Sequence, residues 1–441
     1  MNKFIRGTLI LIAAAFLSEC VEFLVNMKLA SELKEEGMGL YMSVMPVLFL
    51  ILILASLELP ISVSKYIAEH KQETHLSLLK HALKLGVLST VLFSLLTAAA
   101  VSIPSTFSKF PAHIHWLLFA LIPIAAFSAV ARGYFMGIQQ MSKIAVSNLL
   151  RKCAQFLLLY FIFNLFDYPL EISLLVALGA LVASELLVLL YLFSMFVVHL
   201  KGLKAVRYYE LSGKQARAKL LSVSLPTVGL RIFQAFVNAV QPFLIQMTLI
   251  RAGFTAVTAT EHFGMLMGVA MSIGFFPAFI AHSLMVALIP NVSDAYARLE
   301  RDRLSNLLHQ SMWLTLLYGT VSVFIMHLFA EELSAMFFSS PVAAHYLKQL
   351  WPFFLFHFFM IPLQAYLIGV GLIKDAFLHS IWANAFAFGA VFVLGSMPSL
   401  HMDGVILGMN FGAVLQALLH YFTVCKRIGV RVWFVPRSGE L

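Results

Sequence analysis

The sequence predicts an all-α polytopic membrane protein of about twelve transmembrane helices, arranged as two pseudo-symmetric six-helix bundles around a central cavity. Three observations predict it. Of the 441 residues, 61% are hydrophobic and only 12% are charged, so water cannot be the main solvent of this chain. The apolar residues come in runs of the roughly 20 that one bilayer crossing needs, separated by short polar breaks. With the N-terminus placed in the cytoplasm, the inner segments hold 21 of the 30 lysines and arginines and the outer segments five. That bias puts both termini inside and calls for an even number of crossings.

The spans fall near 7–29, 39–62, 82–104, 114–138, 143–166 and 172–199, then near 219–249, 262–290, 308–329, 349–370, 375–397 and 404–425. This divides the chain into a first bundle at 1–200, a basic cytoplasmic linker at 201–218, a second bundle at 219–427 and a cytoplasmic tail at 428–441. Lys201, Lys204, Arg207, Lys214, Arg217 and Lys219 make the stretch between the bundles suited to an amphipathic helix on the inner surface. Lys3 and Arg6 before an apolar run resemble a secretory leader. The run continues to Ala30, however, and Glu19 precedes Cys20, so the segment reads as the first span. Pro46, Pro123, Pro226, Pro242, Pro277, Pro352 and Pro362 lie in spans and are expected to kink them.

The net charge of +9 is spread between the apolar runs, where orientation in the membrane explains it and nucleic acid need not be invoked. Cys20, Cys153 and Cys425 have no spacing that suggests disulfides or a zinc site. His282, His357 and His379 stand apart in sequence, and Gly369 and Gly371 do not extend into a nucleotide-binding fingerprint. No enzyme chemistry, metal or cofactor is expected, beyond a coupling ion or proton.

Ionisable residues inside spans usually face a water-filled interior, because each costs roughly 2.5–3.5 kcal/mol at the bilayer centre. In the first span Glu19, Glu22 and Asn26 occupy relative positions 0, 3 and 7, one face of a helix. In the seventh, Arg231, Gln234, Asn238 and Gln241 occupy 0, 3, 7 and 10, again one face. An offset of 212 lays Glu19 on Arg231, Glu22 on Gln234 and Asn26 on Asn238, so the halves form a parallel repeat about the membrane normal. These seven residues are the candidate substrate-binding or coupling set, with a structural pairing of Glu19 or Glu22 with Arg231 as the alternative. Arg132, Arg151 and Lys152 lie one to three turns from the inner surface and can snorkel to it. Glu185 reads as a hydrogen-bonded residue between helices.

Three strings then matter: Glu35–Met42 entering the second span, Leu59–Lys65 leaving it, and Ala131–Met141 at the end of the fourth. They resemble the signature regions of the stage V sporulation protein B group, within the superfamily of multidrug, oligosaccharidyl-lipid and polysaccharide exporters that includes lipid II flippases. The chain is shorter than typical members. The resemblance implies alternating access by two halves, with a polyprenyl-linked glycan or peptidoglycan precursor as substrate, in the cell membrane or a spore or forespore membrane of a spore-forming bacterium. Relatives that flip pyrophosphate-linked lipids place arginines on the first span's cavity face, where this chain has Glu19 and Glu22. Acidic residues there are more similar to the cation-coupled drug exporters of the superfamily. Two alternatives therefore stand beside the flippase: a proton- or sodium-coupled exporter of amphiphilic cations, and a non-transporting membrane scaffold for envelope synthases.

Overall fold

In the bilayer core no water is present to satisfy backbone N–H and C=O groups, so a chain this apolar must bond them within each segment, and helices do so. The computed structural model describes residues 3–57, 59–69, 72–101, 113–138, 140–166, 168–203, 213–337 and 341–429. Its helices are α1 (Lys3–Ser56), α2 (Leu59–Glu69), α3 (Gln72–Val101), α4 (Ile114–Gly137), α5 (Met141–Leu165), α6 (Leu170–Leu203), α7 (Gly213–Arg251) and α8 (Ala256–Gly264). They continue as α9 (Met271–Phe275), α10 (Ala278–Ala297), α11 (Arg301–Leu328), α12 (Ala330–Ala335), α13 (Pro341–Gln349), α14 (Trp351–Gly369), α15 (Ile373–Gly395) and α16 (His401–Ile428). No strand occurs among the described residues.

Ten described helices are long and apolar enough to cross a membrane, or eleven when a bent pair counts as one span. The first of the ten is double. At 54 residues, α1 holds enough helix for two crossings of the roughly 30 Å hydrocarbon core. It is broken at Lys34, whose backbone is non-helical at φ 55° and ψ −170°. The expected loop between the first two spans is thus a kink in one helix. The polar residues that interrupt the hydropathy are good helix formers, and Lys28 and Glu32 pair one turn apart at 2.7 Å. The eighth span departs the other way. A π-helical turn, Met265–Ala270, separates α8 from α9, and at Pro277 the axis bends by 57° before α10 begins. Pro46, in the part of α1 after the break, and Pro123 and Pro362 lie inside helices that run through them. Pro352 does not interrupt a span: it stands in the first turn of α14, where its missing N–H has no helical partner to lose.

By packing, the chain forms two compact units, Met1–Gly39 with Gln241–Leu441, and Leu40–Val240. These are not the contiguous halves expected from the sequence. Residues 204–212 of the expected linker and the tail from 430 lie outside the described residues. Residues 213–218 belong to the first turns of α7.

In the unit Leu40–Val240, the buried core joins α2, α3, α4 and α6 through Leu59, Val63, Leu79, Tyr134, Phe135 and Val188. Here α4 seats its glycines on α2. A methyl group on Gly133 would lie 2.8 Å from Val63 Cβ, and one on Gly137 would lie 2.5 Å from Ile67 Cβ. The second unit is built around Val292, Leu308, Tyr366 and Val424, with the Tyr366 hydroxyl donating to the Leu304 carbonyl at 2.9 Å. Three glycines spaced by four, Gly404, Gly408 and Gly412, bring α16 against α15. Methyl groups there would lie 2.3 Å from Leu394 O, 2.6 Å from Val391 N and 2.5 Å from Ala387 Cβ. Small residues at that spacing let membrane helices approach closely.

Asn410 closes the junction of α13 and α14. Its side chain accepts from the Phe353 N–H at 3.1 Å and donates to the Gln349 carbonyl at 3.0 Å, satisfying groups that two helix ends would otherwise leave open. Asn410→Leu is therefore expected to cost about 1–3 kcal/mol, read as a lower thermal midpoint of the detergent-purified chain.

Candidate functional site

Of the sequence-predicted residues, Glu19, Glu22 and Asn26 stand on α1 and are partly buried. The face they share is bordered by an aromatic ladder. Phe16 packs on Phe279 at 5.3 Å between ring centres, and Phe23 packs on Phe276 at 5.5 Å and on Phe337 at 5.1 Å. Phe16, Glu19 and Phe23 follow helical spacing, as do Phe276, Phe279 and His282, so the ladder sets Glu19 toward His282. Glu19 and His282 lie within electrostatic range of each other, and His282 lies within range of His357. The His357 ring is held by Phe275, edge-on at 4.9 Å, and by Phe353, stacked at 5.9 Å. A carboxylate and two imidazoles in an aromatic setting can accept and release protons. His282 and His357, which stand apart in sequence, are therefore neighbours in space.

On α7, Arg231, Gln234 and Asn238 are exposed, while Ala235 and Val237 between them are buried. Gln234 donates to Asn238 Oδ1 at 3.2 Å, and Gln241, half-buried, continues the stripe. A polar helix face opened within a membrane span requires water or polar partners beside it, because bare lipid would cost several kcal/mol. Glu19, Glu22, Asn26 and Gln241 fall in one compact unit; Arg231, Gln234 and Asn238 fall in the other.

Two further polar sets emerge that sequence reasoning did not assemble. In the first, Arg132 of α4 and Arg151 of α5 converge on Glu185 of α6, at 3.8 and 3.6 Å, and Arg132 donates to Asn148 at 3.3 Å. Their signal was present as ionisable residues inside three successive spans. In the second, the α15–α16 crossing becomes polar below the glycines. Gln416 donates to Ser380 at 3.0 Å, His420 meets His379 at 3.1 Å, and Thr423 meets His379 at 3.2 Å. Gly404, Gly408, Gly412, Gln416 and His420 recur every four residues, a period the sequence displays.

Comparison with known proteins agrees with this architecture. A family model described as "Polysaccharide biosynthesis protein" matches residues 4–252, and one described as MatE matches residues 265–392. The chain is 48% identical to "Sporulation protein YkvU" of Bacillus subtilis (strain 168), over 98% of its own length and 97% of the relative's. It is 35% identical to "Stage V sporulation protein B" of the same organism, over 98% of its own length and 85% of the relative's. Among solved structures, it resembles the inward-facing conformation of a multidrug resistance MATE transporter of the MOP superfamily, with TM-score 0.74 and 17% identity over 93% of this chain and 94% of that one. It also resembles a MOP superfamily transporter from Pyrococcus furiosus, described as having a binding pocket of reversed polarity, with TM-score 0.64 over 96% and 95% of the two chains. Those two likenesses concern the fold. The matches over the sequence show that this chain belongs to the polysaccharide biosynthesis protein family, in the stage V sporulation protein B-like group of the MOP superfamily, and that it is a multi-pass membrane transporter rather than an enzyme.

Proposed function

We propose that this transporter is a flippase, moving a lipid-linked saccharide or peptidoglycan precursor across the bacterial membrane by alternating access during formation of the spore envelope or cortex. Both termini are then cytoplasmic, and the membrane is that of the cell or the forespore. The observation that carries the reading is the open polar face of α7, Arg231, Gln234 and Asn238, which suits a hydrated, anionic and sugar-bearing headgroup. Arg231 would contact the anionic part. Glu19 and Glu22 would couple movement to protons or another cation, with His282 beside Glu19 as an additional proton carrier. The family description and the names of two curated relatives support the substrate class and the sporulation setting.

A second reading, a cation-coupled exporter of amphiphilic cations, is favoured by Glu19 and Glu22 on α1. One experiment separates the two. The purified chain is reconstituted in vesicles holding a fluorescent polyprenyl diphosphate-linked disaccharide, and the probe that changes leaflet is measured by quenching from outside. Wild-type protein should accelerate translocation. Arg231→Gln and Glu19→Gln should each slow it about tenfold or more, a loss of at least ~1.4 kcal/mol of stabilisation. Uptake of a cationic dye that depends on Glu19 and Glu22, with no lipid translocation, would replace the first reading by the second.

A further inference from the structure

The cluster at Arg132, Arg151 and Glu185 is unbalanced in a way that points to a ligand. Two guanidinium groups carry two positive charges and ten N–H donors between them. Among the described residues one carboxylate answers them, and it answers at long range. Glu185 lies 3.8 and 3.6 Å from the two guanidiniums, beyond the usual 2.7–3.2 Å of an N–H···O hydrogen bond. A further acceptor among the described residues is Asn148, 3.3 Å from Arg132. Arg151 stands ten residues into α5, about 15 Å along the helix and near the middle of the hydrocarbon core, so snorkelling does not account for it. The three charged side chains are neither sealed nor open, with 25%, 25% and 13% of their surface exposed.

The surroundings are polar along helical spacing. Asn148, Arg151 and Gln155 follow one face of α5, and Gln155 is buried. Ser128 lies one turn before Arg132 on α4, with its hydroxyl buried and lacking a hydrogen-bond partner. An uncompensated charge at this depth is costly, and a built set of donors around it is what an oxyanion site consists of.

We propose that Arg132 and Arg151 form an anion-binding site within the unit Leu40–Val240, that its ligand is a dianionic oxyanion of the phosphate-ester class, and that Glu185 is an internal counter-ion the ligand displaces. A dianion neutralises both guanidiniums, where Glu185 neutralises one. Two planar forks facing one point also suit tetrahedral oxyanions through paired N–H···O bonds. This adds a second anion-binding site and a displaceable counter-ion to the flippase reading, and rests on that reading only for its use in transport.

The test uses the full chain in lipid nanodiscs, titrated by calorimetry with inorganic pyrophosphate, with farnesyl diphosphate and with farnesol. Both diphosphates should bind and raise the thermal midpoint of the wild-type protein, and farnesol should do neither. Farnesyl diphosphate binding much tighter than pyrophosphate identifies the headgroup of a lipid as the ligand; equal binding identifies a free oxyanion. Arg132→Gln and Arg151→Gln should weaken diphosphate binding about tenfold or more, and Glu185→Gln should tighten it about tenfold. A structural ion pair would not give that gain. Absence of diphosphate binding to wild-type protein, which needs no variant, overturns the proposal. So does a well-folded Glu185→Gln protein that binds no tighter. Diphosphate binding without translocation keeps the site and removes the flippase reading; translocation with unaltered Glu185→Gln binding removes the site alone.

Discussion

Gly408→Leu is expected to prevent the chain from accumulating as a folded protein. A β-carbon at Gly408 would sit 2.6 Å from Val391 N and 3.0 Å from Val391 Cα, and these atoms belong to the backbone of α15, which cannot rotate aside as a side chain can. The helices must separate, and their separation reaches further down the crossing. The bonds between Gln416 and Ser380, His420 and His379, and Thr423 and His379 all depend on the same approach. Overpacking typically costs about 1–3 kcal/mol, and each interhelical hydrogen bond lost adds about 0.6–1.7 kcal/mol. Their sum is comparable with the roughly 5–15 kcal/mol that holds an ordinary fold together. Size-exclusion chromatography of detergent extracts reads the outcome: no monodisperse peak for Gly408→Leu, and a reduced one for Gly408→Ala. Gly179 and Gly389, where an added methyl meets nothing within 4 Å, provide the control. Alanine at either should behave as wild type, and a normal peak for Gly408→Leu would show that the crossing is not a determinant of the fold.

The second large effect is expected at Gly39. There α1 crosses α8, and a β-carbon would lie 2.0 Å from the carbonyl oxygen of Thr260. The opposing glycine is equally constrained, since a β-carbon on Gly264 would lie 2.5 Å from Gly39 N and 2.6 Å from Glu35 O. One turn on, a methyl at Gly268 would meet the Met38 side chain at 2.5 Å. Gly39→Ala should lower stability by about 1–3 kcal/mol, and Gly39→Val by more. Because Gly39 and Gly264 share one contact, the double variant Gly39→Ala/Gly264→Ala should lose clearly less than the sum of the singles. Thermal midpoints of the four proteins give the cycle. Strict additivity would mean that the two glycines act through separate contacts.

Much of this architecture was legible beforehand. Apolar runs located the crossings, and helical spacing placed Glu19, Glu22 and Asn26 on one face of α1 and Arg231, Gln234 and Asn238 on one face of α7. Glycines in the strings that carry the family resemblance, Gly39, Gly133 and Gly137, turn out to be points where backbones touch. The kink at Lys34 was not legible as a kink, since hydropathy distinguishes lipid from water and not helix from loop. Arg132, Arg151 and Glu185 were each visible, but their meeting joins residues 19 to 53 positions apart, and spacing along a chain reports only neighbours within a helix. His379 and His420, 41 residues apart, were missed for the same reason. The membership of Met1–Gly39 in a unit with Gln241–Leu441 has no local signature at all.

That membership has a consequence for biosynthesis. The first segment of the chain leaves the ribosome well before the residues it packs against. At about 5–20 residues per second, the intervening residues 40–240 take roughly 10–40 s to be made. Throughout that interval Phe16 and Phe23 have no ring to meet, and Glu19 has no His282. The opening helix must therefore wait in the membrane as an unfinished piece, and a chain that ends before Gln241 leaves it without the residues it packs against.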